Sequence, residues 1–240
     1  MAKLNTNSNV YTIIYATVIV VIVALLLAVV SSALKPKQQA NIQLDTRKQI
    51  LSSLNLDLKG QDVDALYEKT IKVDTLGFVQ DKSGKDVPQI LFVATLEDGS
   101  QKYIIPMRGA GLWGAIWGYV ALNDDKNTIY GTYFNHDSET PGLGGEITTP
   151  KFQHGFIGKH ILGLDNLLKK LEIVKGDAQD EQVAAISGAT ITSKGVETMI
   201  NTTLEQYKEF LVSQPEVAET TENEVVADAT EDAAQEVEKQ

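Results

Sequence analysis

Four hydroxyls crowd residues 185–197, AISGATITSKGVE: Ser187, Thr190, Thr192 and Ser193, interleaved with Ala185, Gly188, Ala189 and Gly195. Side chains this small bury little and donate readily. Two kinds of chemistry suit them. Thr190, Thr192 or Ser193 can cap a helix beginning near Lys194 by accepting from its unpaired first amides. Alternatively, the same amides and the partial positive charge of the helix end can hold a phosphate. Dipole assistance, about 0.3–1 kcal/mol at an exposed site and up to ~2 in a partly buried one, would not retain a small ligand facing unlimited dilution. A covalent phosphoester to a hydroxyl would.

A second stretch, residues 136–150, HDSETPGLGGEITTP, brings three glycines together. It is not a dinucleotide fingerprint, because Gly142, Gly144 and Gly145 lack the G-x-G-x-x-G spacing and Ile stands at 147. Residues 155–160, GFIGKH, likewise lack the spacing and hydroxyl of a phosphate-binding P-loop. Two readings of the turn remain. It is a tight turn needing positive φ, or a backbone that admits a flat ring closely, with Glu139 and Thr140 supplying hydrogen bonds.

The rest of the chain must position these stretches. With 240 residues, 43% of them hydrophobic, it is long enough for one domain with a sizeable core. The net charge of -11 argues against nucleic acid, whose phosphates need a basic footprint. Most of that charge sits at one end: residues 213–240 hold nine acids and one lysine, leaving the remainder close to neutral. Such a segment, with little to bury, reads as a solvated, disordered tail. No cysteine is present, which excludes disulfides, thiolate metal sites and cysteine nucleophiles. His136, His154 and His160 are too scattered for a metal-binding motif, so no metal ligands are assigned.

Residues 13–34 carry no charge and, as a helix, reach about 33 Å, enough to cross a bilayer. They read as a retained anchor. A secretory signal is the competing reading, with Ser31-Ser32-Ala33 as its cleavage site, but signal cores usually run only about 7–15 apolar residues. Lys35, Lys37, Arg47 and Lys48 follow the segment and only Lys3 precedes it, so a literal positive-inside count puts the following domain in the cytoplasm. After Pro36, spaced apolar residues (Ala40, Leu44, Ile50, Leu51, Leu54) predict a helix leaving the membrane. Short β-branched and aromatic runs at 70–79, 89–97, 101–107, 112–122 and 129–135, separated by turn signals such as KSGKD, EDGS and NDDKN, predict antiparallel strands. A further strand is expected at 171–176, then a helix packing Val196, Met199, Ile200, Thr203, Leu204, Tyr207, Phe210 and Leu211 on the sheet. The expected class is α+β: a single N-terminal transmembrane helix, then a mainly antiparallel sheet with flanking helices. The expected division is 1–12 as a short N-terminus, 13–34 as the anchor, 35–212 as the domain and 213–240 as the tail.

Ser187-Gly188-Ala189-Thr190 is similar to the flavinylation motif of the FMN-binding domains of membrane redox complexes, and residues 139–146, ETPGLGGE, to their other hallmark. The apolar segment followed by LKPKQQAN, together with residues 105–122, IPMRGAGLWGAIWGYVAL, resembles more closely the NqrC family, the single-pass FMN carriers of sodium-translocating NADH:quinone reductases. The resemblance implies an electron-carrying subunit without a complete active site of its own. It implies FMN bound covalently through a phosphoester at Thr190, transferred from FAD by a separate flavin transferase that uses a divalent cation. Ser187, Gly188 and Ala189 would surround the phosphate. Glu139, Thr140, Leu143 and Gly144 would lie near the isoalloxazine, with Lys159 a further flavin contact. The implied partners are the other subunits, the flavin transferase and the lipid bilayer. The implied location is the inner (cytoplasmic) membrane, single-pass, with the large domain on the periplasmic side, against the literal charge count. No catalytic residue is assigned on this chain, and the uncharged anchor offers no ion pathway. One position departs from the pattern: Ala184 stands where an acidic residue is usual, with Asp180 and Glu181 just upstream. Two alternatives remain, the homologous FMN-carrying subunit of Rnf-type complexes, which shares both flavin motifs, and a cofactor-free membrane-anchored binding or scaffold protein.

Overall fold

The structure, a computed structural model, describes residues 8–80, 84 and 86–213. The expected acidic tail beyond Ser213, the first seven residues and most of the KSGKD turn lie outside the described residues.

The first helix, α1 (Asn9–Ser52), is 44 residues long and begins at Ser8, whose Oγ accepts the Tyr11 amide at 3.1 Å. Its most apolar window has a mean hydropathy of 3.2, and it is the one helix among the described residues long and apolar enough to cross a membrane. Pro36 lies inside it without ending it. Proline removes one ladder hydrogen bond, and the helix that was expected after Pro36 is therefore the same helix continued. Its last turn enters a core: Ile50 and Leu51, with Leu54 just beyond the helix, are fully buried among Val63, Ile71, Ala94, Ile104 and Ala121. Burying such side chains stabilises by about 1.5–3 kcal/mol each. Arg47 also bonds Asp64 and Glu68 at 2.8 Å each, but pairs this exposed contribute about 0–1 kcal/mol. Burial fastens the helix to the domain. The short α2 (Val63–Thr70) is capped by Asp62 and packs beside it.

Five strands form an antiparallel meander in the order β1 (Ile71–Gln80), β2 (Asp86–Thr95), β3 (Gln101–Ala110), β4 (Ala115–Leu122) and β5 (Ile129–His136). Register alternates the faces. Ile104 and Ala121 face the end of α1, whereas Ile105, Met107, Ile116, Val120 and Phe134 face the other core. Covered on both sides, β4 reads as a nearly continuous apolar run, AIWGYVAL.

After β5 the chain makes a 3-10 turn (Gly144–Thr148), the short α3 (Pro150–Gln153) and a second 3-10 turn (His154–Phe156). Phe134, Phe152 and Phe156 close this region, Phe156 edge to face with both others and Phe134 tilted against Phe152, with centroids 5.2–6.2 Å apart. The expected strand at 171–176 is β6 (Glu172–Val174), which pairs in parallel with β7 (Gln182–Ala184) in a separate two-stranded sheet. Then α4 (Thr190–Gln206) lies across β3 and, after a break at Tyr207, α5 (Lys208–Val212) ends the described chain. Val196, Met199, Ile200 and Leu204 form its buried stripe, as their spacing predicts.

Candidate functional site

The two stretches singled out by their chemistry meet at one end of the sheet, beside the β3–β4 turn. The helix starts at Thr190, four residues earlier than expected, and none of its hydroxyls caps it. Ala189 occupies the cap position with no side-chain bond, and the amides of Thr190, Ile191 and Thr192 find no acceptor among the described residues. The capping reading of these hydroxyls is thereby corrected. Thr192 and Ser193, each 1% exposed, turn inward instead: Thr192 Oγ1 donates to Glu139 Oε2 at 2.6 Å, and Ser193 Oγ accepts the Ile186 amide at 3.1 Å. Thr190 and Ser187 are exposed, and their hydroxyls have no partner among the described residues.

The glycine turn is shaped from within. Only Gly142 has a positive φ, 75°. Gly144 is glycine for a different reason: a Cβ there would overlap Glu139 Oε2 and the Thr192 hydroxyl. Gly111 is pressed by Glu139 in the same way. Glu139 is 4% exposed, with Oε1 accepting the Trp113 amide at 2.8 Å and Oε2 taken by Thr192. Burial alone would raise its pKa, but the Thr192 hydroxyl and the amides of Trp113, Leu112 and Gly114 outweigh it and hold the carboxyl below its usual range. Glu139 thus ties the β3–β4 turn, the glycine turn and α4 together. It does not face outward to bond a ring, as the sequence suggested.

Of the expected site residues, Ser187, Gly188, Ala189 and Thr190 form one continuous loop and helix start. Leu143 closes on it, since a Cβ on Gly188 would come within 2.9 Å of Leu143 Cδ2. Thr140 is exposed, and its carbonyl accepts the amides of Leu143 and Gly145. Lys159 is not brought to this group. Its carbonyl bonds Ile129 at the start of β5, its ammonium bonds the Asp180 carbonyl, and Glu139 follows the other end of that strand. The acids upstream of Ala184 do not reach the loop either: Glu181 is held by His160, whose Nδ1 and amide lie 2.9 and 3.0 Å from its oxygens.

Sequence reasoning missed four neighbours. Leu112 and Trp113 at the tip of the β3–β4 turn are 46% and 67% exposed, and Ile191 is 60% exposed. Trp113 had a signal, a large aromatic between Gly111 and Gly114, but the run 112–122 reads as strand throughout, whereas the strand begins only at Ala115. The fourth, Thr192 as the partner of Glu139, had none, because the two lie 53 residues apart.

The surface fits FMN. Three unpaired amides and a free hydroxyl suit a phosphate, and the exposed Trp113, Leu112 and Leu143 suit a flat apolar ring. It is open rather than enclosed. Clefts of 770 and 710 Å³ lie elsewhere, beside Lys169 and Lys170.

Residues 111–205 match the family model described as an FMN-binding domain. The chain is 31% identical to the NqrC protein of the Na(+)-translocating NADH-quinone reductase of Pseudomonas aeruginosa, across 82% of this chain and 92% of the relative. It is 32% identical to the corresponding protein of Haemophilus ducreyi, across 82% and 90%. The crystal structure of the same component from Parabacteroides distasonis superposes with a TM-score of 0.66 at 39% identity, covering 75% of this chain and 98% of that one. Shewanella oneidensis NqrC, 22% identical, shares the fold with a TM-score of 0.60. An FMN-binding domain, an apolar helix at its head and similarity along most of the chain lead to one conclusion: the chain belongs to the NqrC family, a component of the Na(+)-translocating NADH-quinone reductases.

Proposed function

We propose that this chain is the membrane-anchored electron-carrying component of a sodium-translocating NADH:quinone reductase and holds FMN through a phosphoester on Thr190. The observation that carries the reading is the exposed Thr190 hydroxyl at an uncapped helix start, two residues beyond Gly188, on which Leu143 of the glycine turn closes. When bound, FMN supplies the reversible redox chemistry. The protein's part is to fix and tune it. The amides of Thr190, Ile191 and Thr192 would neutralise its phosphate, and Leu143 and Trp113 would offer apolar surface to its ring. Attachment is a group transfer from FAD by a separate transferase. Thr190 Oγ1 bonds the phosphorus of the FMN moiety, the pyrophosphate bond breaks, AMP leaves, and the hydroxyl proton passes to a base.

The course of α1 supports a membrane-embedded partner. Leu51 and Leu54 pack near Ala121, Gln49 accepts from Trp117 Nε1 at 3.0 Å, and Asn41 and Ile42 line a cleft with Arg108 and Asp137. Followed back toward its apolar half, the helix therefore approaches the end of the sheet that bears Thr190. With residues 13–34 in the bilayer, Ile42 stands about 12 Å above the apolar segment. The flavin end then faces the membrane plane, on the periplasmic side of the inner membrane, within reach of subunits embedded there.

The test is in-gel flavin fluorescence of the denatured protein, made with and without a flavin transferase, beside Thr190→Ala. A band that needs both the transferase and Thr190 is expected. A dark wild-type band, with the transferase active on a control substrate, would overturn the reading and favour a cofactor-free scaffold.

A further inference from the structure

The four hydroxyls of residues 185–197 divide by where they point, and the division suggests how one of them is presented for modification. Thr192 and Ser193 are buried and bonded, whereas Thr190 and Ser187 are exposed. The bond from Thr192 to Glu139 is short, buried and made to a carboxylate, which places it among the stronger kinds of hydrogen bond. Glu139 is itself held by the Trp113 amide and seated against Gly111 and Gly144, whose lack of a Cβ makes room for its carboxylate. The first turn of α4 is thus fastened to two separate turns through one side chain, two residues beyond Thr190. The other side-chain bond of that turn, from the Ile186 amide to Ser193 Oγ, ties it to the loop before it and not to the glycine turn.

We propose that Thr192 is a positioning residue for flavin attachment: its hydroxyl bond to Glu139 holds the first turn of α4 so that the exposed Thr190 hydroxyl is presented in one orientation to the transferase. Resting on Thr190 as acceptor, this adds a residue that never touches the flavin bond. The reaction is the balanced transfer already given, with a flavin adenine dinucleotide as donor and AMP leaving. Thr192 gains and loses no atom in it. Loosening the helix start lets Thr190 sample orientations in which its oxygen is not aligned, and misplacement by about 1 Å can cost up to about 100-fold in rate.

The test is the initial rate of flavin incorporation into the full-length protein in detergent, with FAD, Mg²⁺ and limiting transferase, at varied acceptor concentration. Thr192→Val, which keeps shape but removes the hydroxyl, is expected to lower the turnover rate about tenfold or more, with a smaller change in the acceptor KM. Thr192→Ser restores the hydroxyl and is expected to lie within about threefold of wild type. Thermal unfolding of both variants separates slow attachment from loss of fold; should Thr192→Val unfold, the rate of folded Thr192→Ser against Thr192→Ala decides. Equal rates for Thr192→Val and wild type, or equal slowing in Val and Ser, would overturn the positioning role. Flavin retained by Thr190→Ala, or absent from wild type, would instead overturn the acceptor on which it rests.

Discussion

Consecutive hairpins of a meander lie at opposite ends of the sheet, and here the two ends are finished in opposite ways. At the β4–β5 turn the polar groups are paired. Asp125 Oδ1 accepts the amides of Asn127 and Thr128 at 2.8 Å each, and Asn127 Oδ1 accepts those of Ile161 and Leu162 at 3.1 and 2.7 Å. Lys126, 7% exposed, donates to the Phe210 and Ser213 carbonyls and lies 4.5 Å from the Phe210 ring centroid; burial pushes its pKa down. At the β3–β4 end a helix begins with three unpaired amides, a hydroxyl is free, and Leu112, Trp113, Leu143 and Ile191 are exposed. Buried polar groups in folded proteins are as a rule satisfied. The closed end is where the chain supports itself, and the open end presents the exposed groups that the proposed flavin would take.

The comparison breaks most sharply at Thr190. Thr190→Ala is expected to abolish covalent flavin while changing stability by no more than about 0.5 kcal/mol, because the side chain is exposed and bonds nothing among the described residues. A clear fall in Tm would instead assign Thr190 a structural task. Asn127→Ala should do the reverse. The Leu162 amide loses its acceptor, while the Ile161 amide keeps the Asn127 backbone carbonyl, so a loss of about 1–3 kcal/mol is expected, measured by urea unfolding, with flavin incorporation unchanged.

A smaller effect sharpens the role of Glu139. Its folded pKa lies below the ordinary value of 4.5, so its contribution to stability is fully present above that value and is lost as the pH falls through the folded pKa. Between pH 7 and 5 the wild type should therefore keep that contribution. In more acid solution its Tm should fall more steeply than that of Glu139→Gln, and parallel curves would remove Glu139 as the ionised tie. The smallest effect is expected at Ala184, which is exposed at the end of β7. The loop beyond it is held by the Ser193 hydroxyl and by the Ala185 amide on Val174. Ala184→Asp should change stability by less than about 0.5 kcal/mol, and a large gain in flavin incorporation would show that the usual acid does something these bonds do not.

What could be read beforehand follows the range of the interaction. The five strands of the meander and the buried stripe of α4 were legible, since period and turn chemistry are local. The start of α4 was misplaced because its hydroxyls suggest caps, whereas Thr192 is claimed by Glu139 across 53 residues. Short β7 escaped notice because three residues carry no period. Lys159 was grouped with the flavin residues on resemblance, yet the strand between it and Glu139 keeps them apart. Chemistry-bearing residue types were visible; which of them face one another was settled by the tertiary fold.

The unbroken passage of α1 from its apolar half into the core of the domain has an angular consequence. No linker separates Leu34 from Leu51, so the domain has a compass bearing fixed by the helix. Each residue of an α-helix turns the chain by about 100° and raises it by about 1.5 Å. One residue inserted between Leu34 and Asn41 would swing the Thr190 end about a quarter turn around the helix axis, whereas seven would return it to nearly the same heading about 10 Å higher. The length of this segment therefore encodes a direction as well as a height.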